Sequence, residues 1–278
     1  MTTGSVHGMI ATHVPRVFNE DQVLPVHKPL LDGLKRMGQD MERLNPDVIV
    51  LLSSHWFTTF PWYAGGNARW KGVLVGTEIP DMVNGWAYDF PGHPALAQRI
   101  VQKGQAAGIM CKTFDVPDFP LDYGTGVPLK YIQRKENPWP VVPLSVCMQE
   151  GHEEAFRWGE AIGDAIRESG LNVAFIASGA LSHDLCRSPE AWPVPENMAA
   201  DKLLLSLLES GRLEEARQVV ARYGRVHSEA WGKHLIALFG VLSRFGSFQG
   251  ESYCYGPSSG SGNTCMLLSP VQAAAKAV

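Results

Sequence analysis

Three widely separated stretches of the chain each place a polar, metal-competent residue where an apolar run stops. His13 stands in Ala11-Thr12-His13-Val14-Pro15, and His55 in Ser53-Ser54-His55-Trp56 behind the run at 47–52. Glu251 stands ahead of the glycine-rich Gly256-Pro257-Ser258-Ser259-Gly260-Ser261-Gly262. Two imidazoles and one carboxylate are the ligand set of a facial triad on non-heme Fe(II), which leaves one face open for substrate and O2. That combination points to oxygenase chemistry. A third histidine, His183 in Ala177-Ser178-Gly179-Ala180-Leu181-Ser182-His183, also follows an apolar run. With the triad complete, it is better used for proton transfer, since an imidazole titrates near working pH.

Each of these positions has a plainer reading. A histidine at a strand end can simply satisfy backbone groups, and His183 can be an ordinary loop histidine. Glutamates mostly face water, so Glu251 rests on its neighbourhood: a strand-like Ser252-Tyr253-Cys254-Tyr255, then a turn whose glycines let backbone approach a ligand. Cys254 is a rival ligand in principle, but a thiolate suits a softer site, and it is assigned to packing. Tyr123, in Leu121-Asp122-Tyr123-Gly124-Thr125, offers a phenolic donor or plain amphipathic packing. Pro15 stiffens the segment after His13. His7 and His27 lack such a context and read as surface or loop packing. His227 and His234 lie seven apart without a nearby carboxylate, and His234 beside Lys233 reads as a solvated face. The Gly260-Ser261-Gly262 string lacks the lysine and following helix of a phosphate loop.

The elements that must position these residues follow from periodicity. Residues 6–12 form a short apolar first strand ending at His13. Leu30, Leu34, Met37, Met41 and Leu44 mark one helix face, closed by Asn45-Pro46. The β-branched run at 47–52 suits a strand covered on both faces, which makes a βαβ crossover. Residues 65–88 read as a hairpin or irregular insertion, 94–107 as a helix, and 118–128 as a loop of functional interest. Pro143 pushes a strand at 141–147 toward an edge or a bulge. A helix at 153–168, a buried strand at 171–177, a helical cluster at 198–208, 213–223 and 227–242, and strands at 248–255 and 264–268 complete the chain. The fold class expected is α/β: one domain over residues 1–278, with layered helices around a central mixed sheet.

Composition agrees. The 278 residues are 45% apolar and 19% charged, enough for a full core. A net charge of −4 disfavours nucleic acid or an anionic membrane as partner. Five scattered cysteines without a CxxC fit a reducing cytoplasm. The N-terminus lacks the basic and apolar regions of a signal peptide, and no apolar run reaches bilayer length. The expectation is a soluble cytoplasmic protein.

Together these motifs resemble the class III extradiol ring-cleavage dioxygenases, the family that includes the β subunit of protocatechuate 4,5-dioxygenase. The resemblance runs from Thr12-His13-Val14-Pro15, through Ser54-His55-Trp56, residues 121–128 and the 177–183 string, to Gly260-Ser261-Gly262. It implies that His13, His55 and Glu251 hold Fe(II), that His183 is the acid/base, and that Tyr123 lines the substrate site. Some branches carry histidine in place of Tyr123. Within the family, the His13 and His183 motifs look most like 3,4-dihydroxyphenylacetate 2,3-dioxygenases. The Tyr123 loop and the spacing from Glu251 to Gly260 are also similar to the catalytic subunit of 2-aminophenol 1,6-dioxygenase, and the choice stays open. Small aromatic substrates and O2 would be the reactants, in a homo-oligomer or a hetero-oligomer with a related subunit. Arg16, three residues past His13, is a candidate partner for a substrate carboxylate, or else a solvated surface residue. A non-catalytic partner subunit and a zinc hydrolase on the same ligands are the competing classes.

Overall fold

The computed structural model describes residues 3–223 and 228–271. An eight-stranded mixed sheet runs in the order β6-β3-β7-β2-β8-β1-β10-β9. At its centre β7 (Val141–Cys147), β2 (Val48–Thr58), β8 (Asn172–Ser178) and β1 (Ser5–Ala11) lie parallel. On one side β10 (Ser261–Pro270) and β9 (Phe248–Ser258) add antiparallel strands. On the other, β3 (Trp62–Gly65) pairs parallel with β6 (Cys111–Phe114). The hairpin of β4 (Arg69–Val75) and β5 (Asn84–Pro91) forms its own small sheet, which accounts for the irregular 65–88 stretch.

The central strands are buried on both faces, as their uninterrupted apolar runs require. Alternate residues separate two cores. Val48, Val50, Leu52, Val173 and Phe175 meet helices α2 (Pro94–Ala106), α4 (His152–Ser169), α5 (Pro195–Glu209), α6 (Leu213–Ala221) and α7 (Lys233–Ser243). Ile49, Leu51, Ala174 and Ile176 meet α1 (Lys28–Leu44), α3 (Tyr123–Ile132) and the hairpin. The expected α/β architecture of layered helices around a mixed sheet is present.

α1 buries Leu30, Leu34, Met37 and Met41, the face set by the periodicity. It stops because Asn45 takes a left-handed conformation (φ 43°) and its N–H returns to the Met41 carbonyl, with Pro46 next.

Three expectations change. Pro143 does not put its strand at an edge: β7 is interior. Its β3 side has a single paired position, Ala64 opposite Leu144, so a missing N–H is tolerated there. The 118–128 stretch is loop only to Asp122. There the Asp122 carboxylate caps α3 by accepting from the Thr125 N–H at 3.0 Å, and the chain turns helical despite its prolines and glycines. The 227–242 helix is also shorter than expected. α7 starts at Lys233 after a 3-10 turn, Glu229–Gly232, and His227 lies outside the described residues.

Candidate metal centre

Register explains how two distant histidines meet. Ser178, the last residue of β8, is paired with Ala11 of β1 on one side and Ser53 of β2 on the other. His13 and His55 each lie two residues further on, so they reach the same level across the end of β8. Ligand crevices of open α/β sheets form at that carboxyl edge. Against β7, the register of β2 breaks between Leu52 and Phe57. This irregularity re-aims the segment carrying His55.

The carboxylate that meets them is Glu229. Its Oε1 lies 3.0 Å from His13 Nε2 and 2.8 Å from His55 Nε2. One donor atom from each of the three residues falls within 4.8 Å of the others, the only such group among the described residues. Glu229 is buried, and its Oε2 accepts a hydrogen bond from the Ala180 N–H. Burial opposes its ionisation, but His13, His55 and His183 outweigh that and hold its pKa well below the usual carboxylate range.

Glu251, expected as the third ligand, is not there. It is exposed on β9, opposite Leu267, and pairs with Arg36 of α1. The glycine-rich turn does reach the centre: Ser258, Ser259 and Ser261 line the same cavity as His13 and Glu229. Glu251 stands seven residues before Ser258 on an extended strand, which places it about 20 Å away along the chain. The two residues at the tip, Ser259 (φ 51°) and Gly260 (φ 86°), have the paired positive φ of a tight hairpin turn. Sequence reasoning missed Glu229 because a buried glutamate is rare and nothing around it is strand-like. The one signal was Gly232, which interrupts the expected helix just behind it.

The surrounding hydrogen bonds suit a bound cation. Pro128 has no N–H to give the Gly124 carbonyl one turn back, and the Ser178 hydroxyl donates to that carbonyl instead. With its proton committed, Ser178 Oγ accepts from His13 Nδ1, 3.0 Å away. That assigns the proton to Nδ1 and leaves the Nε2 lone pair facing Glu229, the outer-partner arrangement of a metal-bound histidine. Gly124 is needed for this fit, since a Cβ there would lie 2.5 Å from Ser53 Oγ. His55 Nδ1 is buried without a hydrogen-bond partner, and its nearest acid, Glu78, stands 3.6 Å off. Ligand atoms of two imidazoles and a carboxylate thus converge within 4.8 Å of one another, the donor set a bound cation would take. For His55, burial disfavours the charged ring, yet Glu229, with Glu78 and Asp122 behind it, raises the pKa overall.

Tyr123, the first residue of α3, places its hydroxyl 2.6 Å from His55 Nε2. Burial, reinforced by Glu229, raises its pKa, so it remains a protonated donor. His183, Tyr123 and Arg16 line a cavity of about 230 Å3 together with His13 and Glu229. Burial lowers the pKa of His183, with Glu229 opposing and His13 and His55 adding. Its ring is therefore neutral near pH 7 and able to accept a proton. Arg16 forms no ion pair among the described residues.

Two other histidines differ from expectation. His27 is fully buried and bonds the Pro189 carbonyl. His234 is not on a solvated face: it is fully buried in α7, and among the described residues neither ring nitrogen makes a hydrogen bond of good geometry, the Ala180 backbone being only a weak contact. Burial, with His13 adding and Glu229 opposing, holds its pKa down to about 4. The unfolded chain therefore takes up this proton near pH 6.5 and the folded one only near 4. Stability is full above pH 6.5 and falls as pH drops through that window, by up to about 3 kcal/mol. Urea unfolding in EDTA at pH 7 and pH 4.5 should show a smaller pH loss for His234→Phe than for the parent. Equal losses in the two proteins would contradict this.

Two histidines and a buried carboxylate beside a cavity make the site that of a candidate metal-dependent enzyme. Residues 7–265 match the family model of the catalytic LigB subunit of aromatic ring-opening dioxygenase, and the chain belongs to that family. It is an extradiol dioxygenase, an oxidoreductase. It is similar to 3,4-dihydroxyphenylacetate 2,3-dioxygenase of Escherichia coli, with 24% identity over 89% of this chain and 93% of the relative. It is also similar to the 2-aminophenol 1,6-dioxygenase β subunit of a Pseudomonas species, with 27% identity over 96% and 95%. The fold matches that of an uncharacterised protein of Escherichia coli K12 at a TM-score of 0.65 and 21% identity, covering 94% and 98% of the two chains. No helix among the described residues is long and apolar enough to cross a membrane.

Proposed function

We propose that this chain is an Fe(II)-dependent extradiol dioxygenase that inserts both atoms of O2 into a catechol ring carrying an acidic side chain, such as 3,4-dihydroxyphenylacetate, in aromatic catabolism. Residues 1–278 act as one catalytic domain. The observation that carries the reading is the convergence of His13 Nε2, His55 Nε2 and Glu229 Oε1 beside a cavity holding His183 and Tyr123. Ferrous iron held by these three residues would supply open positions for adjacent ring oxygens and for O2, together with the redox chemistry.

The protein's own residues do the rest. Ser178 and the Glu229–Ala180 hydrogen bond fix the ligands before substrate arrives. His183 accepts a proton from a catechol hydroxyl on its neutral imidazole and returns it as the ring opens. The protonated Tyr123 phenol donates to a substrate oxygen near His55. Arg16 lines the cavity, makes no ion pair among the described residues, and offers a planar fork to a substrate carboxylate. A cytoplasmic location fits the five free cysteines. Assembly with like chains or a related subunit fits the naming of the Pseudomonas relative as a β subunit.

A second reading, ring cleavage of a 2-aminophenol, is favoured by that same relative's near-complete coverage. Values of kcat/KM for 3,4-dihydroxyphenylacetate, catechol and 2-aminophenol with the iron-loaded protein separate the two. The acidic catechol should lead catechol by at least about 10-fold, and Arg16→Met should erase that lead, since a charge-assisted pair contributes about 1.5–3 kcal/mol. A clear preference for 2-aminophenol would overturn the acidic-catechol reading. Turnover of none of the three would remove the ring-cleavage reading itself.

A further inference from the structure

Among the residues next to the centre, α5 buries a carboxylate, Asp201, that is not among the cavity-lining residues and has no part in the proposed chemistry. Asp201 is fully buried, and both its oxygens are occupied. Oδ1 accepts from the Ser182 N–H at 3.0 Å and from the Tyr223 hydroxyl at 3.2 Å. Oδ2 accepts from the Ser182 hydroxyl at 2.7 Å and from the Tyr255 hydroxyl at 2.8 Å. Burial raises its pKa, and the four donors pull it back. The approach is built in, because a Cβ on Gly262 would lie 1.9 Å from Asp201 Oδ2.

Ser182 is the junction on which this carboxylate acts. It precedes His183, which bridges to Ser261, and is itself bridged to Ser228, which precedes Glu229. Two residues upstream, the Ala180 N–H bonds Glu229 Oε2. Gly262 closes the segment from the other side, its carbonyl accepting from the Leu181 N–H and its N–H donating to the Ser182 carbonyl. The acid/base and the carboxylate ligand therefore hang from one short stretch, 180–183, and that stretch hangs from Asp201.

We infer that Asp201 is a positioning residue: by gripping both donors of Ser182 it sets where His183 and Glu229 stand relative to the two metal-binding histidines. The inference rests on the proposed metal centre. Outer partners of metal ligands typically contribute about 10–100-fold to affinity or activity. Asp201 differs from its tyrosine partners in one testable respect: among the described residues, Tyr223 and Tyr255 hydrogen-bond the carboxylate, while only Asp201 hydrogen-bonds Ser182 with its side chain.

The test compares Asp201→Asn, Tyr223→Phe and Tyr255→Phe with the parent, each as the full chain. Anaerobic Fe(II) titration gives the Kd, steady-state kinetics the kcat and KM for the best catechol, and thermal melts the Tm. Asparagine keeps the size but turns one accepting oxygen into a donor facing two donors. Asp201→Asn should weaken Fe(II) binding and lower kcat, each by at least about 10-fold, with KM changed by less than about 3-fold. The tyrosine variants should lose Tm while keeping Kd and kcat within about 3-fold of the parent. If Asp201→Asn keeps both Kd and kcat, or if the tyrosine variants lose them in proportion to Tm, the carboxylate is structural only and the inference falls. A parent protein that binds no Fe(II) would instead remove the metal centre on which it rests.

Discussion

Replacing Glu229 with glutamine should leave the protein folded and strip it of metal and of ring-cleaving activity. Glutamine keeps the shape, and its carbonyl can still accept from Ala180, but the negative charge facing His13 and His55 is gone. The loss of Fe(II) affinity should exceed the roughly 10–100-fold that an outer partner brings. His13→Ala and His55→Ala should likewise lose metal and ring-cleaving activity. They also leave Glu229 buried with one counter-group fewer, and removing one partner of a buried pair costs about 3–5 kcal/mol. Their metal content must therefore be measured on the folded fraction. Glu251→Ala is the informative control. It breaks only an exposed ion pair with Arg36, of a kind that contributes about 0–1 kcal/mol, and should keep full iron and turnover. Iron loss in Glu251→Ala with iron retained in Glu229→Gln would reverse the assignment of the third ligand.

His183→Phe should separate proton transfer from metal binding. His183 lines the cavity but lies outside the cluster formed by His13, His55 and Glu229. The variant should hold iron and bind catechol as the parent does, while kcat falls by about 10²–10⁴-fold, the usual contribution of a placed acid/base. Loss of iron would make His183 a ligand. Unchanged turnover would pass the proton-transfer role to Tyr123, whose hydroxyl stands 2.6 Å from His55 Nε2.

The parts of this site that sequence revealed are those that follow strand ends. His13 and His55 could be placed because each comes just after a buried apolar run, and parallel strands bring their carboxyl ends to one edge. The register across Ser178 that levels the two was not readable, since it depends on pairing between segments more than a hundred residues apart. Glu229 comes instead from a short 3-10 turn behind a helix. Its burial is fixed by the Ser182–Ser228 bridge and the Ala180 N–H, contacts with no local pattern. Glu251 misled because the turn after it does reach the cavity while its own strand position faces solvent. His234 misled in the same way: a neighbouring lysine suggests water, yet Lys233 is itself buried and donates to the Cys147 and Met148 carbonyls. Pro128 shows the reverse case, where a residue that signals a loop sits inside a helix and thereby frees the carbonyl that orients His13.

Metal analysis of the anaerobically purified protein tests the central claim most directly. Iron is expected, up to one atom per chain, removed by a ferrous chelator and restored by Fe(II) along with O2 uptake on a catechol. Tightly held zinc with hydrolytic activity, or no metal and no uptake after Fe(II) loading, would contradict it, the first pointing to a hydrolase and the second to a non-catalytic subunit.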